Sequence, residues 1–213
     1  MSLAFYTRHP EKERFALPNT IWSWQLRPRE FVLLACLYYQ SGQQVTADAI
    51  AESVHMSEIT VRKYLASLME RGLITTKLSP TYPLNGGSLR NCFTLPNEIF
   101  FLRLPPSAFM VYAYLLCCED RRTYQCHPSY NTIASATHLA VNTVMKSVSE
   151  LAERQLIMVE QTRYLDHRGM KWIGNNCYTI LPIASAVEQF YQRQFRQLEV
   201  NTAKYNTAKE RTA

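Results

Sequence analysis

Apolar positions in the first part of the chain recur at helical spacing and predict a helical start to the fold. The run 31–39 is apolar on almost every side and follows Arg27-Pro28-Arg29-Glu30. A proline in the first turn with an acidic residue beside it is typical of a helix start, so we expect a buried helix here. A short helix is predicted after Thr46, because threonine before an apolar periodic segment is a common N-cap.

A third amphipathic helix is predicted between Ser57 and Gly72. Val61, Leu65 and Leu68 recur every three or four residues and therefore share one helix face. Serine is a favoured N-cap, and glycine often ends a helix. The two short helices are thus expected to follow each other across a tight turn.

Beyond the third helix the pattern changes from helical to strand-like. Residues 73–77 and 91–95 are rich in residues that favour strands, and the segment 79–88 between them is rich in proline, glycine, serine and asparagine. We therefore expect residues 73–77 and 91–95 to pair as a β-hairpin with a flexible tip.

The second half of the chain repeats these landmarks in the same order. Leu-Pro-Asn occurs at 17–19 and at 95–97, and later matches such as Glu70-Arg71-Gly72-Leu73-Ile74 with Glu153-Arg154-Gln155-Leu156-Ile157 keep the order. Their offsets grow from 78 to 85 residues, with the insertions in expected loops. The second copy predicts helices over 106–118, 128–136 and 140–154, and a hairpin of 156–163 with 172–180.

The repeat also predicts how the chain is divided. We expect an N-terminal arm at 1–14, one domain at 15–95, a second at 96–182, an amphipathic C-terminal helix at 183–200 and a polar, fraying tail at 201–213.

The segment Ser57-Glu58-Ile59-Thr60-Val61-Arg62-Lys63-Tyr64-Leu65-Ala66-Ser67-Leu68, followed by Arg71-Gly72-Leu73-Ile74, resembles bacterial winged helix-turn-helix DNA-binding proteins. It is similar to their recognition helix and to the entry into their β-hairpin, or wing. The resemblance covers residues 15–182 and departs at Ala140, where a capping serine is expected, and at Gln155, where glycine is expected. It implies a mainly α fold with small β-hairpins (α+β), made of two tandem winged helix-turn-helix domains plus a C-terminal helix.

The resemblance also implies which residues contact double-stranded DNA. Exposed residues near the start of each third helix reach base edges, and basic residues of each wing reach phosphates. Arg62 is suited to guanine and Asn142 to adenine, and we expect the first copy to contribute more than the second. The candidates are Ser57, Glu58, Thr60, Arg62, Lys63, Lys77 and Arg90 in the first copy, and Asn142, Thr143, Lys146, Arg163, Arg168 and Lys171 in the second.

Composition says more about the cellular location of the protein than about its function. The 213 residues carry a formal net charge of +6, which permits a polyanionic partner without requiring one. No apolar stretch approaches the roughly 18 residues of a membrane span, and residues 1–10 lack the apolar core of a signal peptide, so we expect a cytoplasmic protein with reduced cysteines. The spacing of Cys117, Cys118, Cys126 and His127 fits no familiar zinc pattern, and buried thiols are expected instead.

The motifs of common enzyme classes are absent from the sequence, which contains no Walker loop, no Gly-x-Gly-x-x-Gly, no Gly-x-Ser-x-Gly and no His-Glu-x-x-His. We therefore expect a binding protein without a cofactor or catalytic residues. Three hypotheses stay open: a sequence-specific transcriptional regulator, a plasmid or mobile-element replication initiator with tandem winged helices, and a winged-helix protein-interaction module. A homodimer formed through residues 183–198 is a further hypothesis.

Overall fold

The computed structural model describes residues 14–41, 43, 45–81, 91–165 and 168–210, without the side chains of 164, 165, 171–173 and 203–210. The fold is mainly helical with small antiparallel sheets, as expected of winged-helix proteins. The first repeat contains β1 (Arg14–Pro18), a 3-10 helix (Asn19–Trp24), α1 (Pro28–Tyr39), α2 (Ala47–Val54) and α3 (Glu58–Glu70). Next come β2 (Cys92–Pro96), a second 3-10 helix (Asn97–Leu102), α4 (Pro106–Cys118), β3 (Gln125–Cys126), α5 (Tyr130–Thr137), α6 (Val141–Glu153), β4 (Ile157–Leu165), β5 (Lys171–Ile180) and α7 (Ile183–Glu210).

The helix starts confirm the caps predicted from the sequence. The Thr46 hydroxyl accepts a hydrogen bond from the Ala49 amide at 3.3 Å, and the Ser57 hydroxyl accepts one from Thr60 at 3.3 Å. The α6 helix follows Ala140, whose side chain forms no such bond. The predicted buried helices are also confirmed, since nearly all of α1 and most of α4 are inaccessible to solvent.

The predicted pairing of residues 73–77 with 91–95 is wrong. The strand β2 pairs with β1 instead, in an antiparallel register that matches Phe15 with Leu95 and Leu17 with Phe93. This pairing buries an apolar face of both strands, because Leu17 and Leu95 are completely inaccessible. Within the described part of the first hairpin region, Ile74 and Pro80 form an isolated bridge, and proline has no amide to extend it.

The two repeats meet around an approximate two-fold axis through β1 and β2. With the offset of 78 residues, Phe15 and Leu17 of the first repeat correspond to Phe93 and Leu95 of the second. Exchanging the repeats therefore turns the pair Phe15–Leu95 into the pair Phe93–Leu17, which is also present, and the axis passes between Ala16 and Thr94. Ring contacts follow the same exchange: Phe15 stacks on Phe100 at 5.7 Å, and Trp22 stacks on Phe93 at 5.6 Å. One continuous cluster of buried side chains includes both repeats, so the division into domains at 95/96 stays a prediction.

The second hairpin forms as predicted, and β4 and β5 pair along most of their length. The two-residue strand β3, which was not predicted from the sequence, pairs with β5 and gives the sheet order β3-β5-β4. This hairpin follows α6 directly and therefore lies in the position of a wing.

The C-terminal helix is longer than predicted. It continues through residues 201–210, which were expected to form a fraying polar tail. This segment lacks glycine and proline and contains alanine, lysine and glutamate, which favour helix. Near its start α7 packs through Ala186, which is buried, and further along Arg193 donates to the Glu153 carbonyl at 3.2 Å.

Candidate nucleic-acid interface

Each repeat places two helices across a tight turn that begins with a histidine. His55 follows α2 and His138 follows α5, and both adopt left-handed backbone angles, with φ of 53° and 55°. Burial, followed by the charge of Arg103, lowers the pKa of His55. The matching geometry supports a structural role for both histidines at the turn.

The exposed face of α3 carries side chains of both charge signs and one large apolar side chain. Arg62 forms ion pairs with Glu58 on the same helix and with Asp48 on α2, the latter at 3.6 Å. All three side chains are substantially exposed, so these pairs are weak and exchangeable. Lys63 is exposed beside them, with its Nζ atom 6.0 Å from the Tyr64 ring centroid.

Ser57 and Thr60 act mainly on the helix itself. Their hydroxyls lie 2.8 Å apart and, with the bond to the Thr60 amide, close the first turn of α3. Ile59, which is not among the residues predicted from the sequence, is 84% exposed. The sequence contained a signal for this exposure, because Ile59 lies two residues before the buried Val61 and therefore on the other side of the helix. An exposed isoleucine near a recognition-helix start is suited to apolar contact with a thymine methyl group.

The corresponding face of α6 has a different chemistry. Asn142, Met145 and Lys146 are exposed, whereas Thr143 is half-buried. Residues 127–149 contain no aspartate or glutamate. A phosphate backbone approaching α5 and α6 along this face therefore meets a lysine and polar groups without like-charge repulsion.

The predicted wing residues lie in both repeats, and the structure describes some of them only in part. Arg163 is exposed on β4, and Arg168 lies in the exposed turn that precedes β5. Lys77 is exposed in the turn after α3, and Lys171 begins β5, although its side chain is outside the described part. Arg90 lies outside the described residues.

One arginine in each repeat holds the end of the recognition helix against the rest of its unit. Arg71 donates to the Trp24 carbonyl and to the Glu30 carboxylate, the latter at 3.1 Å. Arg154, at the equivalent position, donates to the Leu102 carbonyl at 2.7 Å and to Glu150 at 2.6 Å. Trp24 and Leu102 also correspond in the repeat, so both recognition helices have equivalent anchors.

The cysteine cluster shows two environments. Burial raises the pKa of Cys126 to about 12, and its thiol donates to the Leu115 carbonyl at 3.6 Å. Cys117 is half-buried, whereas Cys118 is exposed, contrary to the expectation of uniformly buried thiols. No group of three histidine, cysteine or acidic residues suited to a metal ion occurs within the described ranges.

The helix-turn-helix units and the hairpin that follows α6 have the arrangement of a winged helix-turn-helix fold, in which the second helix of the unit is the one that enters the major groove of DNA in known complexes. Residues 102–157 match the family described as helix-turn-helix domain. This match covers α4, β3, α5 and α6, and therefore falls on the second repeat.

Among solved structures, the chain is similar to a possible transcriptional regulator from Methanosarcina mazei Go1, with 20% sequence identity and a TM-score of 0.36. The similarity covers 53% of this chain and 90% of that one. No curated protein sequence matches the chain. In the part of the chain that the structure describes, no helix is both long and apolar enough to cross a membrane.

Proposed function

We propose that the chain is a transcriptional regulator that binds double-stranded DNA in a sequence-specific manner, with α6 as its principal recognition helix. The observation that carries this proposal is the acid-free surface of residues 127–149, from which Asn142 and Lys146 project. Asparagine reads adenine, and lysine pairs with guanine or phosphate. The β4–β5 hairpin next to α6 adds Arg163 and Arg168 for contact with the sugar–phosphate backbone.

In this proposal α3 has the supporting role, opposite to the order expected from the sequence. The equivalent surface of the first repeat contains Asp48, Glu52 and Glu58, and two of these carboxylates engage Arg62. Binding through Arg62 requires that its ion pairs be exchanged for contacts with DNA. Such exposed pairs contribute only about 0–1 kcal/mol each, so the exchange costs little but leaves carboxylates near the phosphates.

The approximate two-fold axis suggests the form of the target. Two units related by such an axis read half-sites in inverted orientation when both contact one duplex. The residues at matching positions differ: Ile59 corresponds to Asn142, and Arg62 corresponds to Met145. We therefore propose a target of two inverted but dissimilar half-sites, rather than a true palindrome.

The test combines selection of duplexes from a random pool with titration of matched variants. Lys146→Ala and Lys63→Ala remove lysines at equivalent positions, and Arg62→Ala removes the cation that the sequence favoured. We expect Lys146→Ala to cost about 1–3 kcal/mol of binding free energy on the selected duplex and Lys63→Ala clearly less. A larger loss for Arg62→Ala or Lys63→Ala would reassign the principal helix, and no loss in any variant would reject binding through these faces.

The same selection separates regulation from replication initiation. Single sites at promoters are expected of a regulator, whereas iterated sites beside an origin would favour the initiator. The internal duplication is the observation that keeps the initiator as the second candidate. Absence of salt-dependent binding to any duplex would instead favour a protein-interaction module.

A homodimer through α7 is proposed as the assembly. Tyr191, Phe195 and Leu198 recur along one stripe of this helix and are 48%, 65% and 60% exposed. Pairing with the same stripe of a second copy would bury them. Light scattering of the chain at micromolar concentration should show a dimer, and Phe195→Glu should give a monomer with unchanged secondary structure. A monomeric parent chain would reject this assembly.

A further inference from the structure

Two apolar side chains are exposed at the start of α6, the part of a recognition helix that contacts base edges in known helix-turn-helix complexes. Val141 is 37% exposed and Met145 is 47% exposed. They lie four residues apart and therefore form a row one helical turn long. The other large apolar residues of this helix, Val144, Val148 and Leu151, are buried. The row of Val141 and Met145 thus faces outward and is separate from the core.

This apolar row runs beside the polar residues proposed above to contact DNA. Asn142 follows Val141 and Lys146 follows Met145, and both polar side chains are exposed. Because successive helical residues point about 100° apart, the polar row and the apolar row lie next to each other on one outward surface. A duplex that is contacted by Asn142 and Lys146 is therefore also within reach of Val141 and Met145.

The first repeat has charged residues at the same two positions. Glu58 corresponds to Val141, and Arg62 corresponds to Met145. Glu58 and Arg62 pair with each other, and Arg62 also reaches Asp48 of α2. The fold therefore accepts an ion pair at these positions, and the apolar row of α6 is not a requirement of the helix-turn-helix structure.

An apolar row beside an asparagine matches the major-groove edge of an A·T base pair. Adenine presents its N7 and N6 atoms, with which asparagine forms two hydrogen bonds, and thymine presents its C5 methyl group. Among the four standard bases, only thymine has an apolar group on this edge. The acid-free surface of residues 127–149 also suits the phosphates that flank the bases. Charge and apolar surface thus favour the same partner.

We propose that Val141 and Met145 are specificity-determining residues that recognise thymine, by packing against C5 methyl groups in the half-site that α6 contacts. Asn142 pairs with adenine in the same or the next base pair, and Lys146 binds a neighbouring guanine or phosphate. This inference rests on the proposed DNA binding and names the base pair that the half-site of α6 contains. Affinity for this half-site depends on the thymine methyl groups.

The test titrates the full-length chain with the duplex selected from a random pool and with the same duplex containing deoxyuridine in place of thymidine in one half-site. Uracil lacks only the C5 methyl group and pairs with adenine as thymine does. Burial of one methyl group changes an affinity by at most about fourfold, so each thymine contacted by α6 should weaken binding by about two- to fourfold when replaced. Equal binding of the thymine and uracil duplexes in both half-sites would overturn the proposal.

Matched variants identify the side chains that recognise the methyl group. In Val141→Ala and in Met145→Gln, the ratio of the dissociation constants for the uracil and thymine duplexes should fall towards one. Met69→Gln changes an exposed methionine near the end of α3 and should leave the ratio of the parent chain unchanged. Circular dichroism confirms that each variant is folded. An undiminished ratio in both α6 variants, or an equal fall in Met69→Gln, would overturn the assignment of these residues.

Failure of this inference is distinguishable from failure of the proposed function. Salt-dependent binding to the selected duplex that uracil leaves unchanged would reject the thymine contacts alone, whereas absence of binding to any duplex would reject both. Light scattering of Met145→Gln covers the remaining alternative, a protein contact. Conversion of a dimer to a monomer with an unchanged uracil-to-thymine ratio would assign the apolar row to contact between two copies and overturn the proposal.

Discussion

The two helix-turn-helix units hold their recognition helices with the same arginine but with carboxylates from different helices. Arg71 is paired with Glu30, which belongs to α1, whereas Arg154 is paired with Glu150, one turn earlier in α6 itself. The second repeat lacks the first carboxylate, because Ala108 corresponds to Glu30. It has a carboxylate that the first repeat lacks, because Glu150 corresponds to Ser67. Both units thus have a carboxylate beside this arginine, and either helix can supply it.

The two arrangements differ in what they connect. The Glu30 carboxylate accepts from the Arg27 amide at 2.9 Å, from Ser67 at 2.9 Å and from Arg71 at 3.1 Å, so it ties the start of α1 to α3. Its side chain is 3% exposed. Glu150, 33% exposed, forms a pair within one helix. The first unit thus depends on a buried interhelical contact that the second unit does without.

Removal of each carboxylate in turn tests whether the buried contact of Glu30 stabilises the chain more than the pair within α6. Glu30→Ala is expected to lower the free energy of unfolding by about 2 to 4 kcal/mol, because it leaves Arg71 and the Arg27 amide without a buried partner. Glu150→Ala should cost only about 0.5 to 1 kcal/mol, as for other partly exposed pairs one helical turn apart. Urea unfolding of both variants measures the difference. Equal losses would mean that the burial of Glu30 confers no additional stability.

Transfer of the second arrangement to the first unit tests whether a carboxylate within α3 can replace the carboxylate from α1. In Glu30→Ala combined with Ser67→Glu, the new carboxylate lies four residues before Arg71, as Glu150 lies before Arg154. We expect the double variant to recover about 1 kcal/mol of the loss caused by Glu30→Ala alone. Ser67→Gln in the same background is the matched control without charge. Recovery by glutamine as large as by glutamate would show that packing, not the ion pair, restores stability.

Local features of this fold were predictable from the sequence, and choices between distant partners were not. The caps at Thr46 and Ser57 and the buried face of α3 depend on residues a few positions apart, so the pattern specified them. The strand β2 pairs with β1, which lies 78 residues earlier in the sequence, although the strand-like segment 73–77 is much nearer. Propensity says that a segment is extended, but packing decides what it pairs with.

The candidate site shows the same limit. The helix pattern placed Arg62 and Asn142 on exposed faces, as the structure does. It did not reveal that Arg62 is engaged by Asp48, because that contact joins two helices.

A smaller difference between the units concerns how their recognition helices begin. Ser57 caps α3, whereas Ala140 leaves the first amides of α6 without a side-chain acceptor. Ser57→Ala should therefore destabilise the chain by about 1 kcal/mol, and Ala140→Ser should stabilise it by up to about 1 kcal/mol. Thermal and urea unfolding measure both changes. A neutral Ala140→Ser would imply that solvent already satisfies the start of α6.

The smallest expected difference lies at the ends of the same helices, where equivalent residues adopt left-handed angles. Gly72 has φ of 66° and Gln155 has φ of 56°, and the amides that follow them bond back to Leu68 and Leu151 at 3.0 Å in both units. A Cβ on Gly72 would meet no atom within 4 Å, so Gly72→Ala tests the backbone alone and should cost about 1 kcal/mol.

Gln155→Gly is the reciprocal change. It removes the left-handed strain of a residue with a Cβ but also loosens the unfolded chain, so the net gain should be only about 0.5 kcal/mol. Urea unfolding of both variants and of the parent chain should show a lower free energy of unfolding for Gly72→Ala and a higher one for Gln155→Gly. A destabilised Gln155→Gly would show that the glutamine side chain makes contacts that outweigh its strain, and the two helix ends would then differ in more than their backbone.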